Sequence, residues 1–206
     1  MGFSTHCYRN VTSPQLSQRL AHRTQSHLRA LIAAFFTATL ISLAVGASLS
    51  VGNAAIAHNN DGYVLDADFN LRLSGTLEDA LERGVVLYFV IEGRLWRPRW
   101  WWLNTSIATI QETRKLSFNS LTRQYRLSSG RQYKNFSALD DAETTLSQVR
   151  NWKIAETQSL DKGQSYRGSV RMWLDVTQLP KPFQVKAVTA KDWNLDSDEF
   201  EFDVIL

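Results

Sequence analysis

Three short stretches of the sequence hold side chains whose types and spacing could support catalysis or metal binding. Ser159 and Lys162 have the S-x-x-K spacing of enzymes in which a lysine lies beside a nucleophilic serine. Asp66 and Asp68 alternate along one predicted strand, so their carboxylates share a face, as a glycosidase would require. Residues 192–203 match a calcium loop at five ligand positions, which are occupied by Asp192, Asn194, Asp196, Asp198 and Asp203.

The surrounding sequence favours a simpler interpretation of each stretch. The serine and lysine lie in a glycine-containing turn without the other motifs of Ser–Lys enzymes. Alternating acids are common on solvated strand faces. Ser197 replaces the glycine of the calcium loop and Glu199 replaces its apolar residue, so we interpret this stretch as an acidic turn before an edge strand. We expect neither a metal nor a cofactor.

The stretch LWRPRWWWLN, residues 95–104, is the strongest candidate for a binding site. Its tryptophans and arginines are interleaved around a proline: Trp96, Arg97, Arg99, Trp100, Trp101 and Trp102. An extended chain would place Trp101 on the opposite face from its two neighbours. Three roles are open: a plug at the end of the core with the arginines stacked on the indoles, a membrane-interface patch, or a stacking platform for a glycan or a protein.

The positions of histidine and cysteine exclude several classes of chemistry. All four histidines and the one cysteine lie in or at the edge of the first 57 residues: His6, Cys7, His22, His27 and His58. The rest of the chain therefore cannot form a disulfide, a Cys/His zinc site or a Ser-His-Asp or Cys-His nucleophile.

Residues 1–57 have the pattern of a secretory signal peptide or an uncleaved membrane anchor. They contain four arginines and no acid, and an uncharged run extends from 30 to 53. Ala55-Ile56-Ala57 offers an A-x-A cleavage site before His58. We therefore expect an exported chain, with residues 58–206 as one domain outside the cytoplasm, either in the periplasm or anchored in the inner membrane.

The charge of that domain argues against a nucleic-acid partner. Four of the 23 basic residues lie in the leader, so 19 basic residues remain against all 20 acidic ones. A domain that is nearly neutral lacks the electrostatic attraction on which nucleic-acid binding depends.

The pattern of apolar residues predicts a mainly β domain that positions these candidates. Period-two alternation predicts strands at 64–73, 105–118 and 166–175, with further strands at 85–93, from 123, around 152–154 and at the C terminus. Helices are predicted at 74–84, ending at Gly84, and at 136–151, whereas LPKPF at 179–183 is predicted to be extended. We expect an antiparallel β-sandwich, immunoglobulin-like or similar, with two short covering helices and with Trp152, Trp173 and Trp193 in its core.

Four segments resemble a domain-of-unknown-function family of secreted proteins from Gram-negative bacteria, labelled proline-rich signal-peptide proteins. These segments are VLYFVIEGRLWRPRWWW, LTRQYRLS, FSALDDAETTLSQVRNW and LPKPFQVKAVT, and the resemblance covers about residues 64–206. The family has no established activity, so the resemblance assigns no catalytic residue. It implies a periplasmic or membrane-attached protein, and it suggests a partner, because members are often encoded beside a membrane sensor kinase of the nitrogen-regulation type.

Together these observations predict a binding module rather than an enzyme. Its expected partner is a membrane protein such as a sensor kinase, or the membrane surface. The alternative is an envelope enzyme that uses carboxylates or a Ser/Lys pair, and it predicts a concave pocket in which acidic side chains converge.

Overall fold

The computed structural model describes Gly2 and residues 46–99, 104–161 and 163–204. Within these ranges the chain forms nine β-strands and three α-helices. The strands are β1 (Ser48–Asn59), β2 (Gly62–Arg72), β3 (Leu87–Arg97), β4 (Thr105–Asn119), β5 (Gln124–Ser129), β6 (Gln132–Phe136), β7 (Gln148–Ala155), β8 (Tyr166–Leu174) and β9 (Phe200–Val204). The helices are α1 (Gly75–Glu82), α2 (Leu139–Leu146) and α3 (Lys181–Thr189).

The strands form two antiparallel sheets. A three-stranded sheet has the order β1-β2-β7, and a six-stranded sheet has the order β6-β5-β4-β3-β8-β9. Strands β3 to β6 follow one another as a meander, and β8 and β9 add to the free side of β3. The predicted mainly β, antiparallel architecture is confirmed.

The two sheets pack face to face, and glycines in the six-stranded sheet make room for the contact. Leu65 is fully buried on β2, and a Cβ added at Gly93 of β3 would lie 2.7 Å from its Cδ2 atom. Likewise, a Cβ at Gly168 of β8 would lie 3.1 Å from the Cδ1 atom of Ile56 on β1. These close approaches place the core between the sheets, since no larger residue fits at either glycine without displacing its neighbour.

The sandwich has two unlike ends. α1 joins the end of β2 to the start of β3, so both strand termini lie at one end, which we call the helical end. Ser48 pairs with Arg72 at the end of β2, so the chain enters the domain here. The opposite end, the hairpin end, holds the β1–β2 turn, the end of β3 and the start of β4.

α1 agrees closely with its prediction. Leu77, Ala80 and Leu81 are buried, as the helical spacing predicts. Gly84 follows the helix with φ of 86°, a left-handed conformation that glycine adopts without steric cost and that ends helices. The N-cap is Ser74, the first residue of the predicted segment.

The start of the domain differs from the predicted boundary at residue 58. β1 pairs with β2 from Ser48 onward, so the predicted cleavage point before His58 falls inside this strand. The small residues that resemble a processing region form an edge strand, in which Ala54 and Ile56 face the core. The structured domain therefore includes residues that the sequence pattern assigned to the leader.

The predicted helix at 136–151 is shorter than expected. α2 ends at Leu146, where the guanidinium of Arg114 donates to the carbonyls of Leu146 (3.0 Å) and Gln148 (2.7 Å). These bonds satisfy carbonyls that a continuing helix would otherwise use, and β7 then pairs with β2. The start of the predicted helix also differs, because Phe136 is the last residue of the edge strand β6.

The predicted extended segment LPKPF is wrong, because it leads into a third helix. Pro180 is the N-cap of α3 and Pro182 lies in its first turn. Proline is tolerated there, since the first N–H groups of a helix have no intrahelical partner. Among the residues that the structure describes, none of the helices is both long and apolar enough to cross a membrane.

Candidate functional site

The solvent-facing side of the six-stranded sheet, which we call the outer face, is the most extended candidate surface. The three-stranded sheet, α1 and α2 pack on the opposite, inner face. Alternation along β4 leaves five polar side chains exposed on the outer face: Ser106, Thr109, Gln111, Thr113 and Lys115. The described elements thus leave this side of β4 open to solvent.

Three cation–π pairs lie on the outer face. The guanidinium of Arg171 lies 4.6 Å from the ring centroid of its strand neighbour Trp173 on β8. Lys115 lies 5.5 Å from the ring centroid of Tyr88, which is directly opposite it in the β3–β4 pairing.

The third pair joins Arg126 of β5 and Tyr133 of β6, with 4.8 Å between the guanidinium and the ring centroid. Tyr133 is 66% exposed. Such contacts are worth about 0.5–1 kcal/mol each when exposed, so they order the side chains without contributing much to stability.

A network of charged side chains crosses from β3 to β8 beside these pairs. Glu92 forms an ion pair with Arg94 (2.7 Å) and accepts a hydrogen bond from Arg171 (3.1 Å). Glu199 accepts from the Ser169 hydroxyl (2.6 Å) and lies 3.4 Å from Arg94. Because Glu92 holds Arg171 while Arg171 lies over an indole, the ion pairs and the aromatic contacts form one ordered surface.

Trp96, the first tryptophan of the predicted binding stretch, borders this face at the hairpin end. Trp96 is half-buried and lies next to Arg167 of β8 in the strand register. Arg97 lies 3.8 Å from Asp161, so this arginine has an acidic partner. Arg99 is exposed, and Trp100, Trp101 and Trp102 lie outside the described residues.

The other three tryptophans differ in burial. Trp193 is buried against Phe183, with 5.6 Å between the ring centroids, as the predicted core position requires. Trp152 and Trp173 are only half-buried. Period-two alternation in YRGSVRMWL places Arg171 and Trp173 on the same face of the strand, so their contact could have been predicted from the sequence. The prediction that Trp173 lies in the core pointed away from this contact.

A second candidate region is the Glu143 cleft, at the helical end. Two clefts of about 450 and 530 Å³ lie there, and Arg72, Asp140 and Glu143 line both. Arg72 lies 3.4 Å from Asp140 and 3.9 Å from Glu143, so an arginine stands between the two carboxylates.

Glu143 is itself almost fully buried. Its Oε1 atom accepts a hydrogen bond of 3.0 Å from the backbone N–H of Leu73. Burial raises the pKa of Glu143, and the nearby Asp140 adds to this, whereas the Leu73 N–H and the Arg72 guanidinium act in the opposite direction. Burial also raises the pKa of Tyr125 on the wall of the same region. Glu143 therefore anchors the backbone at Leu73 and also has the buried environment expected of a general acid.

The acids of the calcium-like stretch take separate contacts. Asp192 accepts a hydrogen bond of 2.9 Å from Thr76. The backbone of Asp196 forms an isolated antiparallel β-bridge with that of Trp173. Asn194 follows a 3-10 turn, and Asp198 has a φ of 43°. In the ranges 46–99, 104–161 and 163–204, no three His, Cys, Asp or Glu side chains come together in a way that could hold a metal ion.

The two acids predicted to share a strand face both make structural contacts. Asp66 accepts a hydrogen bond of 2.7 Å from the backbone N–H of Asn151, and Asp68 forms an ion pair with Arg150. Each of these carboxylates thus has its own partner on the three-stranded sheet. Ser159 ends a 3-10 turn, while Lys162 lies outside the described residues.

Comparison with protein families assigns the chain to a family. The family profile described as "Domain of unknown function (DUF4390)" matches residues 46–203. The chain belongs to this family. The resemblance to a domain-of-unknown-function family is thereby confirmed, and the DUF4390 match begins just before β1. No curated protein matches the chain, and no solved structure does.

Proposed function

We propose that this DUF4390 domain is an exported, non-enzymatic binding module that docks an envelope protein on its outer face. The observation that carries the proposal is the ordered array of aromatic and arginine side chains on that open face, in which Arg171 lies over Trp173 and is held by Glu92. Tryptophan, tyrosine and arginine are the residues that dominate the binding energy of protein interfaces.

The charges of the outer face favour a protein over an anionic polymer. Arg94, Arg167 and Arg171 alternate with Glu92 and Glu199, and most of these groups are already paired. A phosphate backbone would be repelled by the acids, whereas a protein can complement both signs. The sensor kinase that the family resemblance suggests is the first partner to test.

Export is part of the proposal, and the position of β1 shifts the expected processing site. Cleavage before His58 would remove Ser48 to Ala57, ten of the twelve residues of β1, including the buried Ile56. Processing that leaves a folded domain therefore occurs ahead of Ser48, where Val45-Gly46-Ala47 supplies small residues. The N-terminal mass of the protein recovered from the envelope checks this: a mature chain that begins at His58 would contradict it.

In-cell photocrosslinking tests the docking surface. A photoreactive residue at Gln111 samples the exposed outer face of β4. The same residue at Ala55 is the matched control, because Ala55 is also exposed on a strand but lies on the three-stranded sheet. Capture of one defined envelope protein from Gln111 and not from Ala55 supports the proposal. Equal capture from both positions, or none from Gln111, contradicts it.

The Glu143 cleft supports a second candidate function, that of an enzyme using a carboxyl acid. A buried carboxyl group with a raised pKa, placed on two clefts, is the environment of a general acid. Turnover of cell-wall glycan fragments by the purified protein, abolished in Glu143→Gln and retained in Gln111→Ala, would favour this candidate. Equal rates in the wild type and Glu143→Gln would eliminate it.

A further inference from the structure

α3 is a surface helix with an unusual share of exposed apolar side chains. It has no fully buried residue, and its main anchor is Phe183, which packs on Trp193 at a ring-centroid distance of 5.6 Å. Val185 is 71% exposed and Val188 is 87% exposed. Two valines at this exposure on one short helix leave apolar surface that the described fold does not use.

The segment that carries these valines is basic. Residues 180–191 contain three lysines and no acid: Lys181, Lys186 and Lys191. Lys181, Val185 and Val188 are spaced i, i+4 and i+7, so they form one stripe along the helix. Lys181 and Lys191 are exposed at the two ends of the segment. Exposed valines beside lysines are side chains suited to contact with the surface of an anionic membrane.

α3 also lies at the end of the domain where the chain enters. It follows the end of β8 at the helical end, where Ser48 brings the chain into the domain. In the sequence, the uncharged apolar run that begins at residue 30 continues to β1 without an intervening polar linker. Leu121, in the β4–β5 turn at this end, is 95% exposed. The exposed apolar residues therefore lie at the end of the domain through which an anchor or leader would connect.

From these observations we infer that α3 binds the surface of an anionic lipid bilayer. Val185 and Val188 enter the boundary between headgroups and acyl chains, while Lys181 and Lys191 contact the lipid phosphates. The acids of α1 and α2, which lie at the same end, confine the contact to α3. This surface is separate from the outer face, so the helix holds the domain at the membrane and leaves the docking surface free.

Depth-dependent quenching of a fluorescent probe tests the inference on the full chain. Cys7 is first replaced by serine, and an environment-sensitive fluorophore is attached to cysteine at Thr189, beside Val188, or at Asn60 in the hairpin-end turn as the matched control. The vesicles contain phosphatidylglycerol and phosphatidylethanolamine with acyl-chain quencher lipids, and phosphatidylcholine vesicles serve as the uncharged comparison. A leader that inserts by itself would attach both labelled proteins to the vesicles equally. The difference in quenching between the two probes therefore reports the contact of α3 with the bilayer.

The inference predicts strong quenching at position 189 and none at position 60. Val188→Asp should abolish the quenching, and Lys181→Gln should weaken the anionic-vesicle dependence about fivefold. Both side chains are exposed, so unchanged circular dichroism and unfolding curves will show that the variants fold. Equal quenching at the two positions, or quenching that survives Val188→Asp, would overturn the inference. The inference would also be overturned if lipid did not quench the probe at position 189 and Val188→Asp abolished the photocrosslink from Gln111. That result would assign the helix to a protein partner.

Discussion

The two faces of the six-stranded sheet solve different physical problems with the same strands. On the inner face, Gly93 and Gly168 allow the opposing sheet to approach so closely that added side chains would collide. On the outer face, Arg171 and Trp173 lie in contact but remain partly exposed. The difference indicates that contacts on the inner face supply most of the stability of the fold. Side chains on the outer face contribute little to stability and are available for binding.

The largest predicted effect on stability is at Leu65 on the inner side. Leu65→Ala removes a fully buried side chain at the contact between the sheets and should cost about 2–5 kcal/mol of unfolding free energy. Urea unfolding followed by circular dichroism measures it. The control is Thr109→Ala on the outer face, which should stay within about 0.5 kcal/mol of the wild type. Similar losses in both variants would remove the distinction between the faces.

Gly93→Ala should destabilise the domain by about 1–3 kcal/mol, because its new methyl group would lie 2.7 Å from Leu65 Cδ2. The structure makes this cost conditional on Leu65. In the Leu65→Ala background the methyl group enters the vacated space, so the combined loss should be smaller than the sum of the single losses. Strictly additive losses in the double-mutant cycle would show that the two sheets do not meet at this point.

Among the described residues, Glu143 is the one buried side chain that carries an ionisable carboxyl group. Glu143→Ala leaves the Leu73 N–H without its acceptor and should cost about 1–3 kcal/mol. Glu143→Gln keeps an acceptor but cannot titrate, so it serves as the matched control in urea unfolding.

The raised pKa of Glu143 also predicts a pH dependence. The folded state holds this proton to higher pH than the unfolded chain, whose carboxyl titrates near 4.5. The stability that protonated Glu143 contributes is complete below that value and is lost as pH rises through the folded-state pKa. The wild type should therefore lose stability relative to Glu143→Gln toward neutral pH, and a constant difference would contradict the assignment.

The smallest stability effect is predicted for the outer-face pair Arg171 and Trp173. A double-mutant cycle with Arg171→Ala and Trp173→Ala should give a coupling energy of about 0.5–1 kcal/mol. Chemical unfolding of the four proteins measures it. A coupling well above this range would mean that the pair belongs to the structural core rather than to a binding surface.

How far sequence reasoning succeeds depends on the range of the interactions involved. Alternation predicted β2, β4 and β8, and Gly84 correctly ended α1, because those signals are local. β1 was missed since its small residues resemble a cleavage region, and its strand character depends on pairing with β2. α3 was missed because both prolines fall at or before its first turn, where they are permitted.

The candidate surface shows the same limit. The stretch around Trp96 was found from composition, and the pairing of Arg171 with Trp173 follows from spacing along one strand. By contrast, the contact between Lys115 and Tyr88 depends on the register between β3 and β4, which alternation along either strand does not determine.

The most direct test of the account is the dependence of partner capture on the outer face at matched stability. Crosslinking from Gln111 in intact cells is compared between the wild type and the Arg171→Ala/Trp173→Ala double variant, with Thr144→Ala at the helical end as the control. Loss of the captured protein in the double variant, with capture retained in the control and with folded protein present at equal levels in all three, is the predicted result. Undiminished capture by the folded double variant would contradict the claim that this face is where the protein binds.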